Sequence, residues 1–464
     1  MSADRPINAD VPTPEPAATE SKPEPRAVSA KPAPPPPTAE PEPPRPPRGR
    51  RRRQPVPAAL KLVAALVIVA VVFIVVAVVG GSGGSGDGSA GEGPAPAPSP
   101  PTAGSTEAVE TPSSPTAEEL GYPDFATGNT TRVGGSDPAA NAAAVALAVF
   151  PSTTASQRPA AVTLVAEDDW AGGISASVLM AAPVRAPVLI SGPDGLPDPS
   201  AEALDALDPA GDRSTGGASV FAIGDVEPPG DRQATGVSTG SAAAEAAAIA
   251  ELRDRLFGSP PAHVVVAPSG RPELAMPAAA WAARSGDPVL FTGAERLPKA
   301  TAAALKRHPD VPVYVLGPSS AISSDVVHEI TAIDDRVKRV SGEDPVANAI
   351  AFARYVDGDF GWNVNDPGHG FVLARSDSPL DAAAAAALSA SGTWGPLLLS
   401  DDAATLPAEL RSYFLDVKPG YTTNPTRAFY NHVWVIGDQE AIDVNQQAEV
   451  NELAELAKIG GTKP

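Results

Sequence analysis

Two short turns collect most of the side chains that could do chemistry. Glu167, Asp168 and Asp169 follow the apolar run VTLVA and stand beside Trp170, while Ser376, Asp377 and Asp381 follow the similar run GFVLA. Neighbouring carboxyls can hydrolyse a glycan if one holds a raised pKa. They can also coordinate a divalent cation through oxygen, or accept hydrogen bonds from sugar hydroxyls while an indole face stacks on the ring. In the plainest reading they are solvated turn acids that cap the next helix. The corresponding turn between them reads Ser269, Gly270, Arg271, which excludes three equivalent catalytic centres.

Other reactive groups are scarce. There is no cysteine, which removes disulfides, thiolate nucleophiles and Cys-based zinc sites. The five histidines, His263, His308, His328, His369 and His432, are scattered, and no HExxH, GxSxG or Walker-type Gly-Lys-Ser/Thr string accompanies them. The sequence therefore reads as a binding protein rather than an enzyme. No cofactor is expected beyond a divalent cation that the acidic turns could hold, and no nucleotide.

The elements that must position these turns occur three times. PVLISGPDGLP (Pro187 to Pro197), PVLFTGAERLP (Pro288 to Pro298) and PLLLSDDAATLP (Pro396 to Pro407) are one element, with one residue inserted in the last. Each is preceded by an apolar run (VTLVA, HVVVA, GFVLA) and followed by another (VFAIG, VYVLG, VWVIG). Upstream stand TRVGGSDPAANAAAVALAV and KRVSGEDPVANAIAFARYV, with a weaker GVSTGSAAAEAAAIAEL in the middle copy. Asp137 and Asp344 sit where a helix N-cap is wanted, each followed by proline at the first helical position. Short, continuously apolar runs alternating with helical segments predict parallel strands buried on both faces, at Val162 to Ala166, Val264 to Ala267 and Phe371 to Ala374 among others. Each unit is expected to run helix, strand, helix, strand, helix, strand, with its ligand crevice at the strand carboxyl ends. Ser191, Thr292 and Ser400, which end the middle strands, join Asp168, Asp169, Trp170, Ser376, Asp377 and Asp381 as expected binding residues.

Composition sets the boundaries. Residues 1–57 form a Pro- and Arg-rich tail expected to be disordered and cytoplasmic, and 58–80 contain the uncharged run LVAALVIVAVVFIVVAVV, expected to span a membrane. Seven Lys and Arg before that run, from Arg45 to Lys61, and none from Gly80 to Glu119 predict a cytoplasmic N-terminus and a single-pass placement with the C-terminal part outside. Residues 81–119 form a Gly/Ser/Pro-rich extracellular tether. The repeat units are expected at 120–230, 231–333 and 334–464. Residues 1–61 hold 11 Lys and Arg against 7 Asp and Glu, so the other 403 residues hold 23 against 48, a net charge of −25. That acidity argues against nucleic acid.

The threefold order of these landmarks resembles the cell wall binding repeat type 2 family of Gram-positive surface proteins, from about Thr131 to Leu456. LARSDSPLDAAAAAAL (Leu373 to Leu388) is the closest local likeness. The resemblance implies three tandem Rossmann-like units with parallel sheets in a pseudo-threefold arrangement, attached non-covalently to a cell-wall glycopolymer. Where the family usually continues its Gly-x-Asp with Arg and an aromatic residue, this chain has Pro138-Ala139 and Pro345-Val346, and the middle copy lacks the Asp. The fold class expected is thus α/β, three tandem units preceded by one transmembrane helix and disordered Pro-rich segments. The function expected is membrane-anchored binding of a wall glycopolymer. The alternatives are an envelope scaffold that holds a protein partner, and a wall glycan hydrolase.

Overall fold

The computed structural model describes residues 127–391 and 394–459. The chain enters through β1 (Thr130–Val133) and passes into α1 (Pro138–Val149). The Asp137 side chain accepts from the Ala140 N–H at the start of α1, and Pro138 stands in the first turn, where a missing N–H costs nothing. Next come β2 (Val162–Ala166), α2 (Trp170–Ala176), β3 (Val188–Ser191), α3 (Asp198–Leu207) and β4 (Val220–Ile223). The series recurs as β5 (Ala234–Val237), α4 (Ala242–Phe257), β6 (Val264–Pro268), α5 (Pro272–Ser285), β7 (Val289–Thr292), α6 (Lys299–Arg307) and β8 (Val313–Leu316), then α7 (Ser324–Thr331). The third round is β9 (Val337–Val340), α8 (Pro345–Arg354), β10 (Gly370–Arg375), α9 (Pro379–Ala390), β11 (Leu397–Ser400), α10 (Ala408–Asp416), a two-residue β12 (Gly420–Tyr421) and β13 (His432–Ile436). It ends in α11 (Val444–Ala454) and β14 (Ala457–Lys458), which pairs with β12.

Three four-stranded sheets result, ordered β3-β2-β4-β5, β7-β6-β8-β9 and β11-β10-β13-β1. Every pairing in them is parallel. The fourth strand of each sheet leads directly into the first helix of the next copy, and β1 closes the cycle by lying beside β13. The sequence pattern of three strands per copy therefore misses one: TTRV, ATGV and VKRV are four residues long, and the latter two are largely solvent-facing. They lack the continuous apolar run that betrays a doubly covered strand. Arg132 fastens the closure. Its guanidinium, 1% exposed, donates to the carbonyls of Gly437, Asp438 and Ile442 and to Gln447 Oε1 in the third copy. Arg339 on β9 repeats the device, donating to the carbonyls of Gly317 and Ile322 in the second.

Small residues bring the copies together. α2, α5 and α9 pack on one another, and Ala382 to Ala387 of α9 are all buried, as are Ala278 to Ala280 of α5. A helix apolar on every side belongs in an interior. A Cβ at Gly173 of α2 would sit 3.2 Å from the Ala383 Cβ, so only a small residue fits there. Around the second and third copies an aromatic cluster fills the remaining space, with the Tyr314 and Phe360 rings stacked at 3.5 Å and Trp281 edge-on to Phe360 at 5.0 Å.

Two expectations are corrected. A transmembrane helix was to be part of the fold, and a single-pass membrane placement followed from it, yet among the described residues no helix is long and apolar enough to cross a membrane. The longest, α4, has 16 residues and carries Glu245, Glu251, Arg253, Asp254 and Arg255. At ~1.5 Å per residue it would also fall short of a ~30 Å hydrocarbon core. The run expected to span, 58–80, lies outside the described residues, as do the tail and the tether. The architecture established is the three-sheet α/β body alone.

Candidate functional site

The carboxyl ends of the strands open into crevices, and that of the third copy lies where this copy meets the first. The crevice of the third copy, about 440 Å³, is bounded by Asp137 at the start of α1, by Arg375, Asp377 and Asp381 in the turn from β10 to α9, and by Asp438 after β13. Its walls thus come from opposite ends of the sequence. Arg375 donates from both Nε and Nη2 to Asp377, at 3.2 and 2.8 Å. These bonds hold the Asp377 carboxyl below the usual carboxylate range, although it faces solvent. Asp381, 3% exposed, forms the floor and accepts from Asn141 Nδ2 at 2.9 Å. Burial pushes its pKa up to about 6 in spite of that bond.

Around the first copy the acids are arranged differently. Asp168 is exposed. Asp169 caps α2 by accepting from the Gly172 N–H at 2.9 Å, and Trp170 turns its ring edge-on to Phe291 at 5.4 Å. The indole serves packing there. The other Asp169 oxygen is buried without a well-formed hydrogen bond, and it faces the carboxyl of Glu245 from the next copy's first helix. Glu245, 4% exposed, accepts from the Gly224 N–H at 2.9 Å. Burial, and then the charge of Asp169, push the Glu245 pKa up to about 7. Burial raises Asp169 as well. Both carboxyls are thus pushed toward the protonated form, Glu245 to about 7.

A pH dependence follows. Between the ordinary carboxylate range and about 7 the folded state holds a proton on Glu245 that the unfolded state has lost, so stability falls as pH rises through that window and levels off above it. Asp381 acts with the same sign up to about 6. Acids held low, such as Asp377 and Asp402, are ionised in both states above pH ~5 and do not oppose the trend; His263, raised against the pull of burial by its bonds to Asp287, adds to it, and His432, lowered by burial, offsets part of it in the histidine range. Thermal melting is expected at a higher temperature at pH 5 than at pH 8, by on the order of 2 kcal/mol in stability. Glu245→Gln should flatten the slope; an unaltered slope in that variant contradicts a raised Glu245 carboxyl.

The three strand-end hydroxyls are enclosed. Ser191, Thr292 and Ser400 are 2%, 0% and 0% exposed, and each bonds within its own turn: Ser191 to the Gly192 carbonyl, Thr292 to those of Gly293 and Arg296, Ser400 to that of Asp402. Ser376, half-buried, donates its backbone N–H to the Ser400 carbonyl. Of the expected binding residues, Asp377 and Asp381 line the crevice of the third copy, while Ser376 and Ser400 lie behind its lining and Asp168, Asp169 and Trp170 stand apart from it. A second crevice of about 470 Å³ lies in the middle copy beside Ser241, Ser269, Glu295 and Arg296, and one of about 660 Å³ in the first beside Asp194, Asp225 and Glu227. Among the described residues no group of three or more His, Cys, Asp or Glu is placed to hold a metal ion. His263 bonds Asp287, His308 bonds Asp254 and His369 bonds Asp366.

Asn141, which lines the crevice of the third copy, and the buried Glu245 and Asn348 at the same place in their helices are not marked by the motifs of the sequence. Each is the fourth residue after its helix N-cap, Asp137, Ser241 or Asp344. Asn141 and Asn348 reach the preceding copy, Asn348 through a 3.1 Å bond to the Leu274 carbonyl. The common spacing from the cap was the available signal.

This arrangement is a tandem-unit α/β body. Residues 237–327 match the family model described as Cell wall binding domain 2 (CWB2), and the chain carries a cell wall binding type 2 domain. Among solved structures it is similar to Cwp6 from Clostridium difficile, with 18% identity, a TM-score of 0.56, and coverage of 70% of this chain and 47% of that one. It is likewise similar to Cwp8 from Clostridium difficile, with 19% identity, a TM-score of 0.53, and coverage of 70% and 52%. The chain spans about half the length of these structures, and at such identity the likeness is one of fold. No curated protein matches the sequence.

Proposed function

We propose that the domain binds a cell-wall glycopolymer non-covalently, along the crevices at the strand carboxyl ends. The observation that carries this reading is the family match over 237–327, set in a body whose other two copies repeat the same strand order. The chemistry of the crevices indicates what part of a polymer they take. Asp377 and Asp438 in the third copy, and Asp194, Asp225 and Glu227 in the first, offer acceptors to sugar hydroxyls. A phosphate-dense stretch would be repelled by the same groups. Three weak contacts on one polymer gain from effective concentration, so no single deep pocket is required.

The reading is tested with the full chain, sedimented with purified Gram-positive walls. The parent should be retained by the walls. Asp377→Asn with Asp438→Asn keeps side-chain acceptors, so the turn that Asp438 makes with the Glu440 and Ala441 N–H groups survives, but it removes charge-assisted bonds to ligand hydroxyls. Retention should fall about five- to tenfold, or roughly 1–1.4 kcal/mol, with an unchanged circular dichroism spectrum. Equal retention of parent and variant counts against the crevice, and a parent that stays in the supernatant moves the reading to a protein-binding scaffold.

A further inference from the structure

Three aromatic side chains are more than half exposed among the described residues: Phe429 at 70%, Tyr430 at 55% and Trp394 at 54%. All three belong to the third copy, and all lie at the amino ends of its strands, opposite the crevices. Phe429 and Tyr430 precede β13, and Trp394 precedes β11. The first two copies place Ala218 and Ser219 before β4, and Val311 and Pro312 before β8. The aromatic edge is therefore an addition to the repeat.

Its base is built to hold the rings in place. Asn431, 2% exposed, accepts from the N–H groups of Gly368 and His369 at 2.8 and 3.1 Å and donates to the Val417 carbonyl at 2.8 Å. Gly368, at φ 111°, leaves room for Phe429: a Cβ there would lie 2.9 Å from the Phe429 Cβ. The Tyr430 hydroxyl donates to the Pro425 carbonyl at 3.1 Å, which lays the ring along the 422–428 loop. Trp394 stands in the left-handed region at φ 57°, a conformation bulky residues rarely accept, and the next position admits only glycine, since a Cβ at Gly395 would collide with the Gly370 carbonyl oxygen. The Arg284 guanidinium stands 5.3 Å from the indole centroid. Beside Tyr430 runs a groove of about 350 Å³ with Thr422, Thr423, Asn424 and Arg427 along it and Ile459 at one side.

We propose that this amino-end edge is a second saccharide-binding surface, on which sugar rings of the wall polymer stack against Trp394, Phe429 and Tyr430. The inference rests on the wall-binding reading and names a further site for it. Exposed aromatic groups in company mark interaction surfaces. A pyranose presents an apolar C–H face to an aromatic ring and hydroxyls at its rim, and this edge supplies open rings alternating with hydroxyl, amide and guanidinium groups. A lipid surface would call for a continuous aliphatic patch, and a second copy of the chain for a larger unbroken apolar face. Here the exposed rings number three, and the neighbouring groove is lined by Thr, Asn and Arg side chains.

The test uses the full chain and, as probe, polysaccharide released by mild acid from purified Gram-positive walls, titrated by tryptophan fluorescence and checked by co-sedimentation with intact walls. Trp394→Ala, Phe429→Ala and Tyr430→Ala together should weaken binding at least tenfold while leaving the melting temperature near that of the parent. The single variant Trp394→Phe should bind with little loss but a smaller fluorescence change. Undiminished affinity in the triple variant overturns the surface, as does a parent dimer that the triple variant converts to monomer. If the Asp377→Asn, Asp438→Asn variant loses binding and the triple variant does not, only this surface falls. If the parent binds neither probe nor walls, the wall-binding reading falls and takes the surface with it.

Discussion

Replacing Arg132 by methionine is expected to destabilise the domain by roughly 3–5 kcal/mol, as much as truncating a large side chain of the core. Methionine keeps the length and apolar stem of the side chain but removes every donor. The carbonyls of Gly437, Asp438 and Ile442 and the amide oxygen of Gln447 would lose those donors. Each enclosed acceptor left without a donor costs about 1–3 kcal/mol, with relaxation and water entry reducing the sum. Removing the buried positive charge itself is favourable and offsets part of the loss. Because β1 is the strand that closes the cycle of sheets, the damage should be local at first, with the β1 segment becoming open to protease before the rest unfolds. Arg339→Met, at a position that is only half-buried, should cost less. Chemical denaturation of both variants checks this, and a loss below about 1 kcal/mol for Arg132→Met contradicts the assigned role.

The parts of this fold that could be read from sequence are those where burial dictates residue type. VTLVA, VLIS and VFAI are apolar without interruption because both faces of the strand are covered, and their recurrence exposes the repeat. Asp137 and Asp344 cap their helices where the Asp-Pro pairs place them. The edge strands were hidden, since ATGV and VKRV are largely solvent-facing and TTRV is mostly polar, so none carries such a run. Arg132 was hidden for a related reason: an arginine beside a short apolar stretch reads as a surface residue, and full burial of that side chain is rare.

The candidate site was legible only in part. Asp377 and Asp381 could be placed after a strand end, and they do line a crevice, but its remaining walls, Asp137 and Asn141, are more than two hundred residues away in the chain and arrive only through the closed cycle. Ser191, Thr292 and Ser400 are also at strand ends, where nothing in their spacing tells whether a hydroxyl points to solvent or back into its own turn. Trp170 beside three acids suggested a stacking platform, and Phe291 from another copy occupies its edge instead. Local sequence records the position of a turn; tertiary packing decides what the turn presents.

The second large effect concerns the polymer itself. The surface outside the first 61 residues carries net −25, so non-specific adhesion to an anionic wall is disfavoured and retention must come from specific contacts. Bound at several linked crevices, the chain should dissociate slowly from a polymer and negligibly engage bare peptidoglycan. The direct measurement is sedimentation of the full chain with two preparations of the same Gram-positive wall, one intact and one stripped of its glycopolymers by hydrofluoric acid. Wall binding through a glycopolymer predicts that most of the protein pellets with intact walls and that the pelleted fraction drops by tenfold or more with stripped walls. Equal pelleting with both preparations, or with neither, contradicts it.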